Sequence, residues 1–260
     1  MITEYHRPKS LKQAISLLSK PDTYPLGGGT LLSHQSDKSF AVVDLQALGL
    51  NKIHKVGDKL EIGATATLSL LLESPHIPPA LATTLRLETP LNIRNSGTVA
   101  GTLVTSDGRS PFATAMLALD AKLIFAPGDG AMTFGDFLPL RTRTGSLPPS
   151  PPGKLIIKIE IPLNTNLAFK TVARTPTDRP IVCTAVAQWP SGRTRLALGG
   201  WGKSSLLAMD GNNPGGLDAA ARNAACDSTD EWASANYRCE VAAVLVKRCI
   251  DSITNSEPHG

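Results

Sequence analysis

The sequence predicts an α+β protein assembled from more than one unit, and three observations carry that. Near the start, a stripe of apolar residues at helical spacing is followed by short, continuously apolar runs of the kind buried on both faces of a sheet, which together make a small α/β unit. In the last third, strand-like runs come first and helical stretches last, the order of an α+β unit. The 260 residues suffice for about two domains at ~150 residues each.

Each element follows from local pattern. A helix is expected over 10–19, with Ser10 as N-cap and Leu11, Ala14, Ile15, Leu17 and Leu18 as its apolar stripe, ended by Pro21. A short strand over 24–26 runs into Gly27-Gly28-Gly29, and from Leu31 the chain starts either a helical turn or a strand. The run Phe40-Ala41-Val42-Val43-Asp44-Leu45 reads as a buried strand. A second unit opens with two strands, 51–56 and 59–64, joined at Gly57-Asp58. Helices follow over 67–74, capped by Thr67, and over 77–87, entered through Pro78-Pro79. Residues 94–103 read as a second loop of small residues. The stretch 111–120 is helical, Pro111 being tolerated in its first turn. A strand over 121–126, a turn over 127–130 and a short helix start over 133–137 come next. The segment 141–153 is polar and proline-rich, long enough to meet a partner. A strand over 155–162 closes this half. The third unit has strands over 168–174, 181–189 and 193–198, closed by Gly199-Gly200-Trp201-Gly202. Helices over 217–225 and 233–252 end it, the last with Val241, Val244, Leu245 and Ile250 on its apolar side. No internal repeat is found.

Composition narrows the function. A hydrophobic fraction of 42%, a charged fraction of 18% and a net charge of +4 suit a soluble globular protein. The basic residues form only short patches, Arg141-Thr142-Arg143 and Lys247-Arg248, without interleaved aromatics, so no nucleic-acid partner is expected. Cys183, Cys226, Cys239 and Cys249 make no C-x-x-C pair. That argues against a metal or iron–sulfur cluster on this chain and for reduced, buried thiols. The N-terminus lacks a signal-peptide core and no run reaches the ~20 apolar residues of a membrane helix, so the expected address is the cytoplasm. The five histidines show no paired spacing, and no Ser/His/Asp or Cys/His arrangement stands out.

The chemistry concentrates in two small-residue stretches, Pro25-Leu26-Gly27-Gly28-Gly29-Thr30-Leu31-Leu32 and Arg94-Asn95-Ser96-Gly97-Thr98-Val99-Ala100-Gly101-Thr102-Leu103. Glycine permits positive φ and close approach, and a turn that aims several N–H groups at one place suits a phosphate. A triple glycine alone is more often a plain turn; two such stretches in one domain can converge on one extended ligand.

These stretches resemble the two flavin loops of the FAD-binding (medium) subunit of the molybdenum hydroxylases, the carbon monoxide dehydrogenase and xanthine dehydrogenase family. Leu117-Ala118-Leu119-Asp120-Ala121 is similar to the segment after the second loop, and Ile159-Glu160-Ile161-Pro162 resembles the strand that ends the FAD domain. Leu198-Gly199-Gly200, Ser234-Ala235-Asn236-Tyr237-Arg238 and Val244-Leu245-Val246-Lys247-Arg248 resemble the C-terminal domain. Each motif is weak alone; the ordered set, at family spacing over almost the whole chain, is strong. The resemblance implies a two-subdomain FAD-binding fold (vanillyl-alcohol-oxidase/PCMH-like) over 1–162, with subdomains of about 1–50 and 51–162. A C-terminal α+β domain over 163–260, with a three-stranded sheet and helices, would follow. It implies a subunit of a heteromeric oxidoreductase, active in complex. Electrons would pass from two [2Fe–2S] clusters in a small subunit through FAD on this chain to an external acceptor. The molybdenum cofactor would sit on a large subunit, and the assembly would be a dimer of heterotrimers.

As implied by the resemblance, the backbone N–H groups of Gly27, Gly28, Gly29, Thr30 and Leu31 are the first expected contacts to the FAD pyrophosphate. Thr98, Ala100, Gly101 and Thr102 form the second set, with the hydroxyls of Thr30, Thr98 and Thr102 as donors. Departures are visible. Ala100 stands where the family has a glycine, and Pro111 where it often has an aspartate near the ribose. Asp107 is a substitute contact or an Asx-turn residue. Where the family places an aromatic residue in a Gly-Asp-Tyr-Ala-like segment, this chain has Thr177-Asp178-Arg179-Pro180. Asp178 is kept, and Arg179 either meets the flavin ring or is a surface arginine. Lys170 is a flavin neighbour or a solvated strand lysine. Tyr237, Arg238 and Trp201 read as packing residues. Two rival readings remain: an assembly subunit that has lost or weakened FAD binding, and a standalone flavin reductase of the cell-wall precursor type.

Overall fold

The computed structural model of the protein describes residues 1–32, 39–128, 130–143, 154–212 and 215–255. The chain opens with a strand that its apolar pattern does not announce, β1 (Ile2–His6), because nearly all its side chains are exposed. Helix α1 (Leu11–Leu18) starts where expected, the Ser10 hydroxyl accepting the Gln13 N–H at 3.3 Å. Strands β2 (Thr23–Leu26) and β3 (Phe40–Asp44) complete a parallel sheet in the order β1-β3-β2. Its central strand is the one with the continuous apolar run. Ala14 of α1 packs with Val43, Leu45 and Leu155 beneath it.

The hairpin β4 (Ile53–Val56) and β5 (Lys59–Gly63) turns at Gly57, whose φ is +56°. Helix α2 (Leu68–Leu72) is capped by Thr67 and is followed by α3 (Pro79–Glu88). The stretch expected as a second loop is instead two short helices, α4 (Leu91–Ser96) and α5 (Val99–Thr105). Val99 and Leu103 lie four residues apart and are both fully buried, so they share one helical face. The glycines and threonines between them mask that stripe in sequence.

Helix α6 (Pro111–Ala118) is buried along its whole length. Strand β6 (Lys122–Ala126) pairs antiparallel with β7 (Gly130–Thr133), a strand the sequence did not suggest. The expected helix start at 133–137 runs on as α7 (Phe134–Arg143). The proline-rich stretch beyond it, 144–153, lies outside the described residues. Strand β8 (Leu155–Pro162) sits centrally in a sheet ordered β4-β5-β8-β6-β7.

The last part contains β9 (Asn166–Val172), β10 (Val182–Gln188), β11 (Thr194–Gly199) and β12 (Leu206–Gly211), antiparallel in the order β12-β11-β10-β9. The sheet is thus four-stranded rather than the three expected; β12 is a half-exposed edge strand whose pattern breaks at Asp210. Helices α8 (Leu217–Ala225) and α9 (Ala235–Thr254) follow.

Two compact units result. The first comprises Met1–His76, Pro90–Thr105 and Lys122–Ile161; the second Ile77–Thr89, Ser106–Ala121 and Pro162–Gly260. Helices α3 and α6 therefore belong with the four-stranded sheet. Within this second unit the sheet is covered on both faces. Val182, Val186, Leu196 and Leu198 pack against Leu217, Ala242, Leu245 and Val246 of α8 and α9. Cys183, one residue out of phase, meets Thr114 of α6 at 3.5 Å. That is why β10 is buried at every position from Val182 to Ala187. Arg195 is buried and joins β11 to the C-terminal end of α6, pairing with Asp120 at 2.8 Å and bonding the Leu117 carbonyl at 3.2 Å.

Candidate cofactor site

Within the first unit, β2 delivers the triple glycine to the junction between α4 and α5. A Cβ built on Gly28 would lie 1.7 Å from the Ser96 carbonyl oxygen. One on Gly27 would lie 2.8 Å, and one on Gly101 2.7 Å, from the Thr98 hydroxyl oxygen. Gly29 has φ +71°, the left-handed region where glycine is favoured. The two small-residue stretches thus meet, and they meet because Gly27 and Gly28 carry no side chains at the crossing.

Beside the crossing lies an open cleft of about 800 Å³, counting its mouth. Gly27 to Leu32 form one side. Thr98, Ala100, Gly101, Val104 and Thr105 of the α5 segment form another, and Leu45, Ala64, Thr65, Leu155 and Ile156 the floor. The floor residues carried no sequence signal, since Leu45, Ala64, Leu155 and Ile156 look like ordinary core and Thr65 like an ordinary turn residue. Among the described residues the lining has no charged side chain.

The two sides differ in their donors. Among the described residues, no backbone carbonyl accepts the N–H of Gly27, Gly28, Thr30 or Leu31. On α5 the N–H groups are engaged internally. Val99 donates to the Ala66 carbonyl at 2.8 Å and Ala100 to that of Ala64 at 3.2 Å. Gly101 donates to the Thr98 hydroxyl at 3.2 Å. Thr102 does not line the cleft; its hydroxyl donates to the Thr98 carbonyl at 2.9 Å. The glycine loop therefore offers donors, whereas α5 offers a close-packed wall. A phosphodiester needs N–H donors and room for close approach, and the residues present fit one.

The remaining expected residues lie in the second unit. Asp107 accepts the Arg109 N–H at 2.8 Å, an Asx-type turn, and also pairs with Arg179. Arg109 donates to the carbonyls of Pro180 and Arg179, both at 2.9 Å. Its guanidinium stacks 4.6 Å from the Trp232 ring centre, as does that of Arg174, which pairs with Asp178 at 3.3 Å. Arg179 projects from this braced loop with its side chain 52% exposed. Lys170 on β9, opposite Thr184 of β10, neighbours Cys249 of α9. Burial pushes the Cys249 thiol up to about 12 despite the nearby Lys170 charge, and burial likewise raises Cys183 to about 12. Neither is a thiolate at neutral pH; the expected burial of the cysteines fails at Cys226, which is exposed, and is partial at Cys239. Pro111 occupies the first turn of α6. Arg238 is fully buried, bonding Asp230 at 2.7 Å and the Ile181 carbonyl at 3.2 Å. Among the described residues no group of His, Cys, Asp or Glu is placed to hold a metal ion, and no helix is long and apolar enough to cross a membrane.

A glycine-walled cleft on a mixed-sheet unit, in a chain with a second, α+β unit, fits the class of nucleotide-cofactor proteins. Residues 1–164 match the family described as FAD binding domain in molybdopterin dehydrogenase. The chain belongs to that family, as the medium subunit of the molybdenum hydroxylase type, with the fold expected from the motifs. The carbon monoxide dehydrogenase medium chain of Hydrogenophaga pseudoflava is 26% identical over 278 residues, covering 96% of each chain. The uncharacterized protein YgfM of Escherichia coli (strain K12) is 28% identical over 260 residues, covering 95% of this chain and 94% of its own. The crystal structure of quinoline 2-oxidoreductase from Pseudomonas putida 86 shares the fold, with a TM-score of 0.76 at 23% identity over 97% of this chain and 96% of that one.

Proposed function

We propose that this chain is the FAD-carrying electron-transfer subunit of a cytoplasmic molybdenum hydroxylase complex. Its partners are a molybdenum-binding large subunit and a small subunit with [2Fe–2S] clusters, in a dimer of heterotrimers, and it works only in that assembly. Residues 1–162 supply the FAD domain and 163–260 the C-terminal flavoprotein domain, except that α3 and α6 of the first stretch belong to the second compact unit. The single observation that carries the reading is that, among the described residues, no backbone carbonyl accepts the N–H of Gly27, Gly28, Thr30 or Leu31, all of which line the cleft. FAD, when bound, accepts electrons and passes them to an external acceptor; the protein holds and tunes it.

In this reading Gly27, Gly28, Gly29, Thr30 and Leu31 hold the pyrophosphate. Thr98, Ala100 and Gly101 close the other side, and the Thr98 hydroxyl keeps its own proton to donate while accepting from Gly101. Thr102 supports Thr98 from behind. In the second unit, Asp107 orders the turn that carries Arg109 and restrains Arg179. Arg179 presents a cation suited to an electron-rich flavin ring, with Asp178 and Lys170 as further contacts.

Purified full-length chain is titrated with FAD by calorimetry and by the visible flavin bands. Saturable one-to-one uptake is expected. A colourless chain that takes up no FAD, alone or with its partner subunits, overturns the reading in favour of an assembly subunit that has lost the cofactor.

A further inference from the structure

Arg141 lies outside the cleft, near the end of α7, yet its side chain is directed to the helix that forms one wall. The residue is 7% exposed. Its Nη1 donates to the Leu103 carbonyl at 3.0 Å and to the Val104 carbonyl at 3.3 Å. These belong to the last turn of α5, where carbonyls have no partner within the helix. A cation at a helix C-terminus also complements the helix dipole.

Helix α5 has seven residues, too few to persist without support from its surroundings. Its first turn is pinned through Val99 and Ala100 to the carbonyls of Ala66 and Ala64. Arg141 pins the last turn. Between the two anchors stand Ala100, Gly101, Val104 and Thr105, which line the cleft. A short helix fixed at both ends is a rigid wall; one fixed only at its start frays from Val104 and Thr105 inward.

We infer that Arg141 is a positioning residue for the cofactor cleft, setting FAD affinity through the C-terminal end of α5 without touching the ligand. The inference rests on the reading of this cleft as the FAD site. Arg141→Met keeps the aliphatic stem and removes both bonds. R141K keeps the charge and reaches one carbonyl at a time.

The full chain and both variants are titrated with FAD well below their unfolding temperatures, and amide hydrogen exchange is followed across 99–105. Where each protein is fully folded, a loss of global stability alone leaves Kd unchanged. Affinity is expected to fall about tenfold in Arg141→Met, the size of a lost hydrogen bond to a charged group, and less in R141K. Faster exchange confined to α5 is expected alongside. Wild-type affinity in a folded variant overturns the inference while leaving the FAD reading intact. Should Arg141→Met fail to fold, R141K decides: unchanged Kd and unchanged exchange at α5 overturn the inference. Failure of the wild-type chain to bind FAD overturns both and is recognised separately.

Discussion

Gly28 lies so close to Ser96 that a Cβ on the glycine would stand 1.7 Å from the serine carbonyl oxygen. No backbone atom can yield that distance locally, so any side chain at position 28 must part the glycine loop from the end of α4. Gly28→Ala is expected to abolish FAD uptake and to lower the unfolding temperature. Gly49→Ala is the control. Gly49 has φ +67° with nothing within 4 Å of an added Cβ, so it should cost only the left-handed backbone strain of ~1–2 kcal/mol and leave FAD uptake unchanged. Equal uptake by the two variants would refute the crossing as a determinant of the site.

Thr98 holds the crossing from the other side. Its hydroxyl accepts the Gly101 N–H at 3.2 Å and faces the Cα of Gly27. Thr98→Val keeps the shape and strips the acceptor from the start of α5. The loss should cost about 1 kcal/mol of stability, as for a removed N-cap, and should weaken FAD binding. Thr98→Ser should restore most of both. Denaturant unfolding with and without FAD measures the two effects; a serine variant no better than valine would show that the hydroxyl is not what matters.

How much of this was legible in sequence depended on what each residue faces. Phe40 to Asp44 announced a strand because β3 is central and buried. Ile2 to His6 and Leu206 to Gly211 did not, since edge strands are held mainly by backbone bonds and their side chains face solvent or break the alternation. The triple glycine was readable because its chemistry is its lack of side chains. Helices α4 and α5 were not, because Gly97, Thr98 and Gly101 look like loop residues until Val99 and Leu103 are seen sharing one buried face. Arg141 appeared only as part of a short basic patch. Its partners are main-chain carbonyls, which leave no trace in residue identity. Asp107 was open between two roles, and the structure shows it capping its own turn while pairing with Arg179.

Asp210 on β12 joins Arg193 at 2.7 Å and the buried Arg195 at 2.9 Å. The hydrogen bond from Arg193 outweighs burial and, with the charges of Arg195 and Arg193, holds the carboxyl below its ordinary 3.8. The native state therefore binds this proton less tightly than the unfolded chain. The stabilisation is complete above about 3.8 and is lost as pH falls through the lower native value. Asp210→Asn should cost about 1–3 kcal/mol near neutral pH, the usual penalty for a lost charged hydrogen bond, with Asp120 still neutralising Arg195. Its stability should also fall less steeply on acidification than that of the wild type. Acid titrations of the unfolding free energy check both; parallel curves would remove Asp210 from the network.

Glu88 is the opposite case. Its carboxylate caps the fully buried helix α6, accepting the Ser110 hydroxyl at 2.9 Å on each oxygen and the Phe112 N–H at 2.9 Å. Burial raises its pKa above the ordinary 4.5. The bonds from Phe112 and Ser110 and the Arg179 charge oppose that shift without cancelling it, and Asp107 adds to it. The native state thus holds the proton after the unfolded chain has released it. Stability contributed by this group is greatest below 4.5 and declines as pH rises from there through the native value. Glu88→Gln keeps an acceptor for the Phe112 N–H and carries no charge to desolvate. The variant should match or exceed the wild type in unfolding free energy at neutral pH, lose that advantage as pH approaches 4.5, and lack the wild-type decline between. A Gln variant that is less stable at neutral pH and keeps the full wild-type slope would show that the cap works as an anion, with the helix N-terminus outweighing the cost of burial.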